Sequence, residues 1–257
     1  MPRWINVHVA ILLALVLLPI LVIIPVSFSA GTSLSWPTEG WSLRWYEATL
    51  SDAGLMRAFG LSATIAIVSA LTSTAIGVPA AYAIVRGRIR FLESVLLLPI
   101  TFPTVVLGGA LLMAFAPLGM VRTVPGLIAA HVAITLPFVV RTMISSMHTI
   151  EVQLEEAATI LGASRLRMLR HVVLPLARPG IFSSLAFAFI VSFDEFSVSL
   201  FLVGTNVMTL PLELYQRIQY VINPTIAAAS VVLVGITFVS LLFVDRVVGL
   251  ERFFGSK

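Results

Sequence analysis

Six apolar runs punctuate the chain, at residues 7–28, 59–85, 91–115, 126–147, 180–203 and 225–248. Crossing a hydrocarbon core as a helix takes about 20 predominantly apolar residues, and each run reaches that length. The first could be a signal peptide, since Arg3 precedes it and SFSA follows. Its apolar stretch is longer than a signal core, however, and Phe28 is poorly suited to the third position before a cut at Ala30, so an uncleaved span is the expectation. Between the fifth and sixth runs, LPLELYQRIQY reads as a short amphipathic helix with Glu213 and Arg217 paired at i,i+4. The pattern predicts an all-α integral membrane protein, one domain over residues 1–257 with six transmembrane helices.

Two runs carry extra marks. In the second, small residues recur every fourth position: Ser62, Ala66, Ala70, Thr74, and on a second line Ser69, Ser73, Gly77, Ala81. Such stripes let helix backbones approach closely in lipid. The third holds Pro99, Pro103 and the pair Gly108–Gly109. Two readings stand: ordinary bundle packing, or a broken helix of the kind that survives at membrane depth where it is buried or lines a wet cavity.

Composition agrees with the pattern. Charged residues make up 11% and hydrophobic ones 59%, against about a quarter charged in a soluble domain; mean hydropathy is +1.05. The sequence pI of about 10.1 would hint at nucleic acid in a soluble chain, but here the distribution of charge matters more, and no nucleic-acid partner is expected. With the N-terminus inside, the inner side holds Arg3, Arg86, Arg88, Arg90, Arg141, Arg165, Arg167, Arg170, Arg178, Arg246, Arg252 and Lys257. The outer side holds only Arg44, Arg57, Arg122 and Arg217. Twelve against four puts both termini in the cytoplasm.

The sequence lacks the residue patterns of the common chemistries. There is no cysteine, no G-x-x-x-x-G-K-[ST] phosphate loop, no H-E-x-x-H and no G-x-S-x-G. His8, His131, His148 and His171 are scattered without metal-ligand spacing. His131, inside the fourth run, reads as a buried, hydrogen-bonded imidazole in preference to a proton relay. Nothing in the sequence could hydrolyse a nucleotide or hold a catalytic metal, so no catalytic residue, metal or cofactor of its own is expected; if the chain carries out driven transport, the engine is elsewhere or is an ion gradient.

One segment breaks the apolar monotony: LEEAATILGASRLRMLRHVVLP, residues 154–175, within a charged loop at about 148–178. Thr149 as N-cap and Glu151 in the first turn predict a helix over 150–161. Gly162 supplies a left-handed position after it. Ser164 caps a second helix, 165–173, expected to stop before Pro175. Val152, Ala157, Ile160, Leu161, Leu166, Leu169, Val172 and Val173 are available for burial. Either this is an ordinary loop with positive-inside arginines, or it is a knob that seats in a partner's groove.

The residues Glu156-Ala157-Ala158, Gly162, Val172 and Leu174-Pro175, at their spacing, resemble the signature E-A-A loop of permease subunits in binding-protein-dependent ABC importers. Valine at 172 departs mildly from the isoleucine common at that slot. The insert between the fourth and fifth runs matches the same layout, a type I ABC importer permease-like bundle with a cytoplasmic coupling-helix loop. The resemblance implies that Glu156, Ala157, Ala158 and Gly162 couple the chain to a separate ATPase. It also implies two ATP-binding subunits carrying ATP and Mg, a second permease, an external solute-binding protein, and residence in the bacterial cytoplasmic (inner) membrane.

FIVSFDEFSVSLFLVG in the fifth run adds Asp194 and Glu195, the candidate substrate-path residues. An acid at membrane depth costs about 2.5–3.5 kcal/mol on insertion scales, so it is kept for a path or for a structural partner. In a continuous helix Asp194 stands roughly 24 Å above Arg178. Its face would carry Val191, Ser197, Val198 and Phe201, with Phe187 below, while Glu195 points about 100° away and suits the structural role better. A carboxylate beside aromatic rings suits an ammonium group. The whole chain, particularly SFDEFSVSLFLVG, LPLELYQRIQY and NPTIAAAS at its end, resembles the spermidine/putrescine (polyamine) type of these permeases, which also looks like importers of related amine-bearing solutes such as opines and aminoethylphosphonate. The rival is a gradient-driven secondary carrier, which gives the E-A-A loop no purpose.

Overall fold

The computed structural model describes residues 3–34, 36, 38–220 and 223–248. Every element of two residues or more among them is helical, as hydrocarbon demands of a chain that must satisfy its own backbone. In order these are α1 (Arg3–Ser27), α2 (Arg44–Ser51), α3 (Ala53–Gly87), α4 (Arg90–Leu97), a 3₁₀ turn (Leu98–Thr101), α5 (Thr104–Phe115) and α6 (Val124–His148). Then come α7 (Val152–Ile160), α8 (Arg165–Met168), a π-turn (Leu169–Val173), α9 (Leu174–Phe193), α10 (Ser199–Leu202), α11 (Leu210–Tyr220) and α12 (Pro224–Val248). Among the described residues, five helices are long and apolar enough to cross a membrane, or six if the bent pair α4/α5 counts as one span.

That pair corrects the simple third span. α4 with its 3₁₀ turn and α5 meet at 106°. Pro103 holds Phe102 extended, at φ −92° and ψ 143°, and Pro99 sits in the 3₁₀ turn, so the helical ladder cannot run through. At 12 residues, α5 is about 18 Å long and cannot cross about 30 Å of hydrocarbon by itself.

The described residues fall into two compact units, one from Met1–Phe59 and Leu212–Thr237, the other from Gly60–Pro211 and Phe238–Lys257. In the first, 6% of the apolar window of α1 is buried among the described residues. Here the Ser27 and Tyr46 hydroxyls meet at 2.6 Å, and the Gly31 carbonyl accepts from Arg44 and Trp45. The Arg217 guanidinium holds both Asp52 oxygens, at 2.7 and 2.9 Å, and reaches Glu213 at 2.8 Å. The i,i+4 pair expected from the sequence is thus present, with a third member 165 residues away.

In the second unit α3, α6 and α9 form the core. Ala70, Ala81, Val139, Met143, Ala177 and Ala188 are buried together, and Met147, Ile150 and Met168 extend that cluster under the charged loop. Beyond it lies a second cluster, Ile65, Leu127, Ala130, Ile134, Val198 and Leu202, backed by α5. The small-residue stripe of α3 does what its spacing predicts. Ser62, Ala66, Ser69, Ala70, Ser73, Thr74 and Ala81 are buried, and Gly77 lies so close to Val139 that no Cβ would fit.

Candidate functional site

The charged loop is two helices around one left-handed residue. α7 ends at Ile160 with Leu161 as its C-cap, and Gly162 has φ +83°. Its amide donates to the Thr159 carbonyl at 2.9 Å, and the Ala163 amide to the Ala158 carbonyl at 3.0 Å. These are the two bonds of a Schellman cap, which needs a residue without Cβ strain at that position. Ser164 accepts from the Arg167 amide and starts α8, as its type predicts.

Two local expectations are corrected. Thr149 does not cap the loop helix: it closes α6, its hydroxyl donating to the Ser146 carbonyl at 2.8 Å, and Glu151 takes the N-cap position of α7 without a side-chain bond. The second helix does not stop before Pro175 either, but runs unbroken from Arg165 to Phe193. Proline at 175 lacks an amide and would press on the carbonyl four residues back. The π-turn at Leu169–Val173 widens the helix there, one of the recognised ways a ladder absorbs such a defect.

The base of the loop is fastened to α3. Glu155 is buried, and its Oε1 lies 2.7 Å from Arg86 Nη2. Tyr82 donates its hydroxyl to Oε2 at 2.9 Å, while Arg86 also donates to the Ile150 carbonyl at 2.9 Å. The charge-assisted bonds satisfy a carboxylate that would otherwise be costly to bury. Of the motif residues, Glu156, Ala157 and Gly162 are exposed, whereas Ala158 packs toward the core. The tip is apolar and open: Ile160, Leu161 and Leu166 are 85%, 87% and 76% exposed. With Val152 and Ala157, five of the eight side chains named as available for burial are therefore exposed among the described residues.

The fifth span differs from expectation as well. α9 ends at Phe193, Asp194 is its C-cap with φ −89° and ψ 0°, and the chain turns before α10. Asp194 is exposed, and the helical face drawn from it through Val198 and Phe201 does not exist, because the helix stops. Glu195 accepts the Val198 amide at 2.8 Å, which closes the turn. Coupling-loop residues and Asp194 are not brought together; the 20 residues of α9 separate them by about 30 Å.

His131 is buried, with a serine hydroxyl on each ring nitrogen: Ser192 at 2.7 Å and Ser199 at 3.0 Å. Glu155, its partners Arg86 and Tyr82, and Asp52 escaped the sequence reading. Tyr82 and Arg86 at i,i+4 on one face of α3 were the available signal, and nothing in the spacing ties them to Glu155.

In the first unit, outside the spans, the Arg217 guanidinium bonded to Asp52 lowers its carboxyl to a pKa of about 2, with the Leu55 and Gly54 amides helping against burial. The same bond raises Arg217 further.

Comparison with known proteins extends these observations. The chain is 31% identical over 229 residues to the spermidine/putrescine transport system permease protein PotC of Escherichia coli (strain K12), covering 88% of this chain and 86% of that protein. It is 32% identical over 228 residues to the putrescine transport system permease protein PotI of the same strain, covering 84% and 80%. It is 33% identical over 254 residues to the trehalose/maltose transport system permease protein MalG of Thermococcus litoralis (strain ATCC 51850 / DSM 5473 / JCM 8560 / NS-C), covering 93% and 91%. The fold is similar to that of a crystallised bacterial ABC transporter involved in the import of the acidic polysaccharide alginate, with TM-score 0.72, 19% identity and 94% of each chain covered. Residues 73–248 match one family, and the match takes in the charged loop and the broken fifth span. By that match and those identities, the chain belongs to the family of binding-protein-dependent transport system inner membrane components.

Proposed function

We propose that this multi-pass inner-membrane permease works as a single transmembrane domain beside a second, non-identical permease, two ATP-binding subunits that hold ATP and Mg, and an external solute-binding protein. It imports a small amine-bearing solute, a polyamine first, by alternating access. Both termini lie in the cytoplasm, the side favoured by twelve basic residues against four. The observation that carries the coupling role is the loop's construction: a base fixed by Glu155 and Arg86, and an apolar tip of Ile160, Leu161 and Leu166 left open to a partner. Glu156, Ala157 and Gly162 stand on the exposed surface and Ala158 behind it. An exposed apolar patch rimmed by arginines fits a protein groove better than it fits water.

Asp194, with Glu195 shaping its turn, stands in the solute path. Two relatives named for spermidine and putrescine support a polyamine. A relative named for trehalose and maltose is as similar in identity, so the chemistry of Asp194 decides the preference. Its carboxylate is exposed at the end of α9, where a cationic solute gains charge attraction.

Deleting residues 154–162 is expected to abolish co-purification with the ATP-binding subunit and ATP-dependent uptake while membrane insertion persists; undiminished uptake would refute the coupling role. Asp194→Asn is expected to raise the KM for spermidine about tenfold, the loss of one partly solvated charge contact. A wild-type KM would leave Asp194 a purely structural acid.

A further inference from the structure

The break in the fifth span is tied at both ends to one side chain. Ser192 lies just before it and Ser199 just after, and the two hydroxyls meet the two nitrogens of His131 on α6. All three residues are buried, at 2%, 0% and 1% exposure. A neutral imidazole donates from one nitrogen and accepts at the other, and a hydroxyl does either, so both contacts hold in either tautomer.

The turn that carries His131 is itself fixed. Thr135 donates its hydroxyl to the His131 carbonyl at 2.7 Å and lies 2.7 Å from the Ser73 hydroxyl on α3. On the far side, Gly108 of α5 lies against Phe201 and Val198 too closely for a Cβ, and the Leu202 carbonyl accepts the Arg122 amide at 2.9 Å. A buried polar trio of this kind adds nothing that apolar packing could not supply, except a defined geometry.

We propose that His131 is a positioning residue, a two-ended staple that sets the conformation of residues 194–198 and so presents Asp194. The last clause rests on Asp194 standing in the solute path; the staple does not. Breaking one contact loosens one end of the segment, and removing the imidazole loosens both, while the packing of Val198 and Phe201 on Gly108 remains.

The absence of cysteine makes a clean reporter possible. In the assembled transporter in vesicles, Ser197→Cys reports on the break and Leu118→Cys, in the turn between α5 and α6, serves as control, each labelled by a membrane-impermeant maleimide. His131→Leu is expected to change the rate at position 197 by about tenfold or more, as local opening does, and to leave position 118 alone. The double change Ser192→Ala with Ser199→Ala, which keeps the imidazole, should reproduce that effect. His131→Asn, with an amide near the Nδ1 position, should fall between. Adding Ser192→Ala to His131→Leu should do nothing more, the mark of a shared interaction.

An unchanged rate at 197 overturns the staple, and so does an equal change at 118, which would mean general loosening. On the cysteine-free chain His131→Leu should raise the KM for spermidine with little loss of maximal rate. A labelling change with KM unmoved would uphold the staple and sink the solute role of Asp194.

Discussion

Glu155 and Glu156 are neighbours in sequence and face opposite ways in the fold: one buried on Arg86 and Tyr82, the other exposed. Glu155→Ala leaves a mostly buried guanidinium without its carboxylate, a loss of about 3 kcal/mol for a pair of this kind. Glu156→Ala on the open surface should cost within about 0.5 kcal/mol and act instead on ATPase attachment. Chemical denaturation in detergent, with a pull-down of the ATP-binding subunit, separates the two effects. Asp52 gives a prediction in pH. Its folded carboxyl titrates near 2, below its ordinary value of 3.8, so its bond with Arg217 is fully stabilising above the unfolded value and fades as pH falls through about 2. Melting temperatures of the wild type and Asp52→Asn should therefore differ at pH 6 and draw together as pH falls from about 4 to below about 2; a gap undiminished at pH 2 would contradict the assignment.

At the level of elements, Gly162 isolates a backbone effect. No atom lies within 4 Å of where its Cβ would stand, and φ is +83°, so Gly162→Ala pays only for the left-handed conformation, about 1 kcal/mol. Gly162→Asn should lose less, because asparagine tolerates that region; equal losses in the two denaturation curves would point to a lost contact instead. Rules confined to one turn were legible here, such as the Gly162 stop, the Ser164 cap and the small-residue face of α3. What failed involved choices made over longer distances. Thr149 had two helices to serve and closed the earlier one. Proline at 175 was survivable because a π-turn preceded it, and no propensity scale encodes that exchange. Hydropathy stays high through residue 203, so the stop at Phe193 was hidden, and the 69 residues between Arg86 and Glu155 put their pairing beyond any spacing rule.

For the whole molecule, composition and hydropathy were enough to read an integral membrane protein, the resemblance of the E-A-A loop supplied the transporter, and the match over residues 73–248 assigns it to its family. The bent pair α4/α5 needed three dimensions: its prolines were visible, the 106° angle was not. Energy source is a property at this scale. With ATP-binding subunits and binding protein reconstituted, uptake should follow internal ATP and persist when a protonophore collapses the proton gradient; uptake that stops with the gradient would favour a secondary carrier.

The helix from Arg165 to Phe193 is continuous over 29 residues, about 43 Å at regular rise. A rod of that length turns angle into travel. Pivoting by about 10° at its middle moves each tip by roughly 4 Å in opposite directions, more than the width of a hydrogen bond. The same member begins at the loop and ends at the turn that bears Asp194, so such a pivot would displace both tips together, and the prolines at 175 and 179 have not cut the lever in two.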